Sequence, residues 1–188
     1  MNKHFASVAK ELANRLPKMD VNHMSYMGKE NKSSMYLTQV ELEEIIEIIR
    51  NICVNKAMGY DKIPPKVIKW APELFAPILL VIFNKCFELG YYPNIIKVGK
   101  VSPIYKKGEQ NENNNYRPIT VLTQFNQIFE RLIAQRLQSF FDKFGLLTKK
   151  QFGFLKKHCT EHAILDLKEH ILKNIDKKEI TAVLFLDL

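Results

Sequence analysis

The sequence predicts an α+β fold, and three observations carry the prediction. Apolar residues recur at helical spacing in several separate stretches. Two Val-, Ile- and Tyr-rich segments, residues 98–105 and 116–122, flank a polar, Asn-rich loop, as the arms of a hairpin do. A continuous β-branched apolar run, residues 180–186, reads as one strand buried on both faces. The order is helices, hairpin, helices, strand. Elements segregated in this way, rather than alternating, indicate α+β.

Each element has a local reason. Phe5, Val8, Ala9, Leu12 and Leu16 line one face of a first helix, and residues 20–34 are polar, Met-rich loop. Thr38 followed by Glu41 reads as a capping box for a helix carrying Leu42, Ile45, Ile46, Ile49 and Ile52. Glu41, Glu43 and Glu44 in its first turn complement the helix dipole. Asn55 to Asp61 breaks that helix. Pro64-Pro65 opens a short helix to Trp70, and Pro72 opens a longer one that Gly90 closes. After the hairpin, Phe125, Ile128, Phe129, Leu132, Ile133, Leu137 and Phe140 repeat at three and four. Ala163, Ile164, Leu167, Ile171 and Ile175 do the same. These stripes read as core and require no ligand. The run 180–186 then delivers Asp187 at its C-terminal end.

Composition excludes several classes. The chain has 188 residues, 46% hydrophobic and 26% charged, which is neither disordered nor collagen-like. Its three cysteines, Cys53, Cys86 and Cys159, are odd in number and far apart, so neither a disulfide framework nor a zinc cluster is expected. A reducing, intracellular compartment fits that usage. The N-terminus lacks a secretory apolar region, and the longest apolar run, near residues 76–83, is too short to span a bilayer. The apolar run before Asp187-Leu188 predicts that the chain is cut short, because natural termini are usually solvated.

Charge points to an anionic partner. With 28 Lys+Arg against 20 Asp+Glu, the net charge is +8. Lys97, Lys100, Lys106 and Lys107 cluster along the hairpin with no acid between them, and Arg117 follows. Lys106, Lys107 and Arg117 could hold a triphosphate, the Arg forking two hydrogen bonds and the Lys acting as point charges. The competing reading is a solvated basic hairpin. Lys143, Lys149, Lys150, Lys156 and Lys157 interleave with Phe144, Phe152 and Phe154, a composition that suits phosphate contact plus base stacking. Core packing is the simpler role for most of those rings. An Asp at the end of a buried strand can hold Mg²⁺, although more often it is a cap or turn residue.

Five segments in fixed order resemble the reverse transcriptase of non-LTR retrotransposons. Lys56-Ala57-Met58-Gly59-Tyr60-Asp61-Lys62-Ile63-Pro64 is similar to the segment before that family's fingers. Lys97-Val98-Gly99-Lys100-Val101-Ser102-Pro103-Ile104-Tyr105-Lys106-Lys107-Gly108, followed by Asn115-Tyr116-Arg117-Pro118-Ile119-Thr120, resembles its fingers motif. Glu130-Arg131-Leu132-Ile133 with Arg136-Leu137 matches the following helix. Gln151-Phe152-Gly153-Phe154 matches the next motif, and Phe185-Leu186-Asp187-Leu188 the start of motif A.

The resemblance implies the fingers and the start of the palm of a right-hand polymerase. Residues 1–37 would be a linker-like segment and residues 38–188 a partial, truncated reverse transcriptase domain. It implies RNA-directed DNA synthesis on an RNA template from a DNA primer, with deoxynucleoside triphosphates and Mg²⁺ in the complete domain. Asp187 would be the first metal-binding aspartate, Arg117 with Lys100 or Lys106 would contact the incoming nucleotide, and Gln151, Phe152 and Gly153 would lie against template or nucleotide. Leu155 replaces the family's Arg, and Lys157-His158-Cys159 replaces its usual small residues. No Tyr-x-Asp-Asp motif stands in the chain, so the fragment itself is expected to be inactive. The alternatives are a non-catalytic basic RNA- or DNA-binding remnant and a helical interaction module.

Overall fold

The computed structural model describes residues 1–17, 22–26 and 32–186. The chain divides into two units, Met1–Leu137 and Gln138–Leu188. The first holds α1 (Asn2–Arg15), α2 (Leu42–Arg50), α3 (Pro65–Trp70), α4 (Pro72–Leu89), α5 (Asn94–Lys97), β1 (Lys100–Tyr105) and β2 (Tyr116–Val121). Helix α6 (Gln124–Phe144) runs from the first unit into the second, which also holds α7 (Thr160–Asp176). The result is a largely helical chain with one two-stranded antiparallel sheet, compatible with α+β. Among the described residues, no helix is long and apolar enough to cross a membrane.

The core of the first unit lies among α2, α4 and α6. Ile45, Ile48, Ile49, Leu79, Phe83, Ile128, Phe129 and Leu132 are all buried. Phe129 sits at its centre, stacked on Phe83 at 4.7 Å and meeting the edge of Tyr92 at 5.0 Å. Such aromatic pairs contribute roughly 0.5–1.5 kcal/mol beyond their burial. Helix α4 is buried on one side only: Ala76, Leu79 and Phe83 face the core, whereas Ile78, Val81 and Ile82 are exposed. Gly90 caps it in the left-handed conformation, as its position after the apolar run predicts. Helix α1 forms where its periodicity places it, but none of its residues is buried.

Helix α2 starts later than Thr38 implies. Glu41 is its N-cap, and the reciprocal capping pair is Glu41 with Glu44, whose carboxylate accepts the Glu41 amide at 3.0 Å. Thr38 instead offers its carbonyl to Arg136. The Arg136 guanidinium also donates to the Gln39 carbonyl at 2.9 Å and to Glu44 Oε2 at 2.8 Å, and it lies over the Phe87 ring at 5.6 Å. Burial pushes the Glu44 carboxyl up, but the Arg136 bond, the Glu41 amide and the attraction of the guanidinium together hold it below its ordinary value. Asn84 on α4 completes this corner: its side-chain amide bonds both the N–H and the C=O of Val40.

The loop before α3 is fastened to the base of the hairpin. A Cβ on Gly59 would stand 2.8 Å from Thr123 Cα and 2.9 Å from Thr123 N, so only glycine allows these backbones to meet. Tyr60 donates to the Ile95 carbonyl at 2.7 Å.

In the second unit, α7 forms as its periodicity predicts, with Lys150 bonded to both Asp166 oxygens at 2.8 Å. The expected final strand does not form. Residues 181–186 have no regular secondary structure, and Ile180, Leu184, Phe185 and Leu186 are exposed rather than buried. A strand requires a neighbour for its backbone groups, and among the described residues β1 and β2 pair only with each other.

Candidate nucleic-acid interface

The hairpin is a short ribbon with an aligned ladder. Lys100 pairs with Val121, Ile104 with Arg117, and Tyr105 with Tyr116. Its turn is held from within: Tyr105 donates to the Gly108 carbonyl, Asn115 to the Glu109 carbonyl at 2.8 Å, and Tyr116 to the Gln110 carbonyl at 2.9 Å. The Tyr105 and Tyr116 rings meet edge to face at 5.6 Å.

Register decides which cations share a face. Side chains alternate along a strand, and directly opposed residues point the same way. Lys100, Ser102 and Ile104 therefore share a face with Arg117, Ile119 and Val121. The Lys106 amide donates to the Asn115 carbonyl at 2.7 Å, so the ladder continues one step and Lys106 joins that face. Lys106 and Arg117 are then diagonal neighbours, with backbones roughly 7–8 Å apart. Lys100 stands six positions back along the strand from Lys106, roughly 20 Å at the usual rise. The ribbon thus gathers two of the three expected nucleotide contacts and separates the third. All three are exposed, and none is ion-paired with an acid among the described residues. Lys97, by contrast, is occupied: it donates to Asn94 at 3.0 Å and lies over the Tyr92 ring.

Gln151, Phe152 and Gly153 lie in the second unit. Gln151 is half-buried, its amide donating to the Gly153 carbonyl at 3.3 Å. Phe152 rests against His158 at 5.9 Å. Gly153 is exposed, and Phe154 is fully exposed at a φ of +61°, so it serves no core. Lys143 lies over the Phe144 ring at 5.4 Å, the cation-and-ring pairing that the composition of this stretch anticipates. Asp187 lies outside the described residues. The described residues contain no group of three or more His, Cys, Asp or Glu placed to hold a metal ion.

Two residues have roles that motif and charge run do not give, although Arg136 stands in a family motif. Arg136 organises the α2–α6 corner; its signal is its place four residues after Leu132, on the apolar stripe of α6. Trp70 is the other, an exposed indole with Lys66 Nζ at 5.7 Å from its ring.

Comparison with known proteins connects these segments to one group. No family model matches the chain. It is 37% identical over 155 residues, or 82% of its length, to the probable RNA-directed DNA polymerase from transposon X-element of Drosophila melanogaster. It is 31% identical over 156 residues to the corresponding probable polymerase from transposon BS of the same species. It is 30% identical over 164 residues to the RNA-directed DNA polymerase from mobile element jockey, again from that species. The chain spans only 17–18% of the length of these relatives. Over the matched four fifths or so of its length, the chain belongs to the RNA-directed DNA polymerases of jockey- and X-element-like non-LTR retrotransposons.

Proposed function

We propose that residues 38–188 supply the fingers and the start of the palm of an RNA-directed DNA polymerase, and that the cationic face of the hairpin holds the triphosphate of the incoming deoxynucleotide. The observation that carries this reading is the pairing of Lys106 and Arg117 as diagonal neighbours on an exposed face, uncompensated by acids among the described residues. Arg117 forks onto a phosphate while Lys106 adds a point charge. Nucleotidyl transfer depends on positioning and charge neutralisation more than on covalent chemistry from the protein. Lys100, farther along the ribbon, serves a phosphate of the template or primer, and Gln151, Phe152 and Gly153 lie along the template.

In the complete domain Asp187 would be the first Mg²⁺ ligand, acting with further carboxylates. The ion's contribution there is to offset charge on the phosphates. The 188 residues alone do not extend a primer on this reading, since no Tyr-x-Asp-Asp motif stands in them.

A second reading, a basic RNA- or DNA-binding segment without nucleotide contact, shares the same exposed cations. Calorimetric titration of the chain with a deoxynucleoside triphosphate separates the two. Arg117→Ala should weaken triphosphate binding roughly 10- to 150-fold, the worth of a charge-assisted fork. Tight binding to an RNA–DNA duplex with no triphosphate response would leave only the second reading. In the full-length polymerase, Asp187→Ala should abolish Mg²⁺-dependent primer extension; retained extension removes Asp187 from the metal site.

A further inference from the structure

Helix α3 carries a feature that the nucleotide-binding reading does not use. Trp70, at its C-terminal end, is 74% exposed. One turn earlier, Lys66 holds its ammonium 5.7 Å from the indole centroid. Lys66 is itself exposed, so its charge remains free to meet an anion from solvent.

The surroundings are basic. Residues 56–70 contain Lys56, Lys62, Lys66 and Lys69 against the single acid Asp61. Asp61 accepts the Ile63 amide at 3.2 Å and so is committed to its own turn. The next acid along the chain, Glu73, is paired with Arg50 at 3.1 Å. Lys69 is engaged in holding the helix, donating to the Ile52 carbonyl at 2.9 Å. What remains open to a partner is a flat ring with one exposed cation beside it.

A protein partner would find Val67 and Leu74 here as well, both exposed. The exposed Lys66 cation beside the ring favours an anionic partner instead. An aromatic face with adjacent cations is the arrangement that holds single strands without sequence preference: the ring stacks on a base, and the cation meets the neighbouring phosphate.

We propose that Trp70 and Lys66 form a stacking platform for single-stranded RNA, separate from the hairpin. The proposal rests on the reading that this chain handles RNA. It adds a second contact, through which a strand is held by a base as well as by its phosphates.

Trp70 is the only tryptophan in the chain, so its emission reports this site alone. The test titrates the whole chain with a short single-stranded oligoadenylate at low salt, following both Trp70 fluorescence and the anisotropy of labelled RNA. Stacking should quench Trp70 in step with the anisotropy rise. Trp70→Leu should weaken binding roughly 5- to 150-fold, the range for losing one stacked base. Lys66→Ala should weaken it less and lower the salt dependence by nearly one phosphate contact. Both positions are exposed, so the variants should fold. If RNA binds but Trp70 emission and the Trp70→Leu affinity are unchanged, the platform is refuted while the hairpin reading survives. If RNA does not bind at all, the platform is overturned, while the hairpin reading is still decided by triphosphate calorimetry. If Trp70 emission instead changes with protein concentration in the absence of RNA, the patch is a protein contact and the proposal is overturned.

Discussion

Replacing Arg136 by Ala tests the account of the α2–α6 corner most directly. The guanidinium side chain is 10% exposed, and it bonds the carbonyls of Thr38, Gln39 and Leu132 and both Glu44 oxygens. The two bonds to Glu44 are charge-assisted, worth about 1.5–3 kcal/mol each in a dry setting. The Glu44 side chain is 35% exposed, so the low end of that range applies. The carbonyls of Thr38 and Gln39 belong to exposed residues and recover water cheaply. Loss of the contact over Phe87 adds about 0.5–1 kcal/mol. The net destabilisation expected is about 3–4 kcal/mol, in line with breaking other largely buried pairs. Urea unfolding followed by circular dichroism should show a lower midpoint at unchanged slope. Arg136→Lys should recover less than half, because an ammonium cannot bridge carboxylate and carbonyls in one plane. A loss below about 0.5 kcal/mol would refute the corner as a stabilising device. The pH dependence gives a second check. Glu44 is held below its ordinary value of 4.5 in the folded chain. Its contribution is therefore present above that value and is lost as pH falls through the lower folded value. This acid-side loss should shrink in Arg136→Ala, where only the Glu41 amide still favours the charged carboxylate.

Two further outcomes follow from packing. Gly59→Ala should destabilise the first unit by about 1–3 kcal/mol, because the new methyl meets Thr123 backbone rather than a side chain that can turn away; an unchanged urea midpoint would show that the loop is not fastened there. Thiol titration should find Cys53 and Cys159 reacting quickly and Cys86 slowly, since Cys86 is buried on α4 and burial pushes its thiol above the ordinary value of 9.0. Three equally fast thiols would contradict that packing.

The sequence by itself determined the local elements and the family. Ile45 and Ile49, or Phe125, Ile128, Phe129 and Leu132, recur at a period that only a helix satisfies, and Pro65, Pro72 and Gly90 mark helix ends through their own backbone limits. The family motifs are equally local, being strings of neighbouring residues. Thr38 shows where local signals stop sufficing: its spacing to Glu41 fits a capping box, yet its carbonyl is taken by Arg136, 98 residues away. The run 180–186 has the composition of a buried strand but no partner among the described residues, and composition cannot furnish the neighbouring backbone that a strand requires. For the candidate site, charge runs named Lys100, Lys106 and Arg117 together. Tertiary structure decided that Lys106 and Arg117 stand diagonally across the ribbon while Lys100 is carried down it, because cross-strand register, not sequence distance, sets which side chains are neighbours.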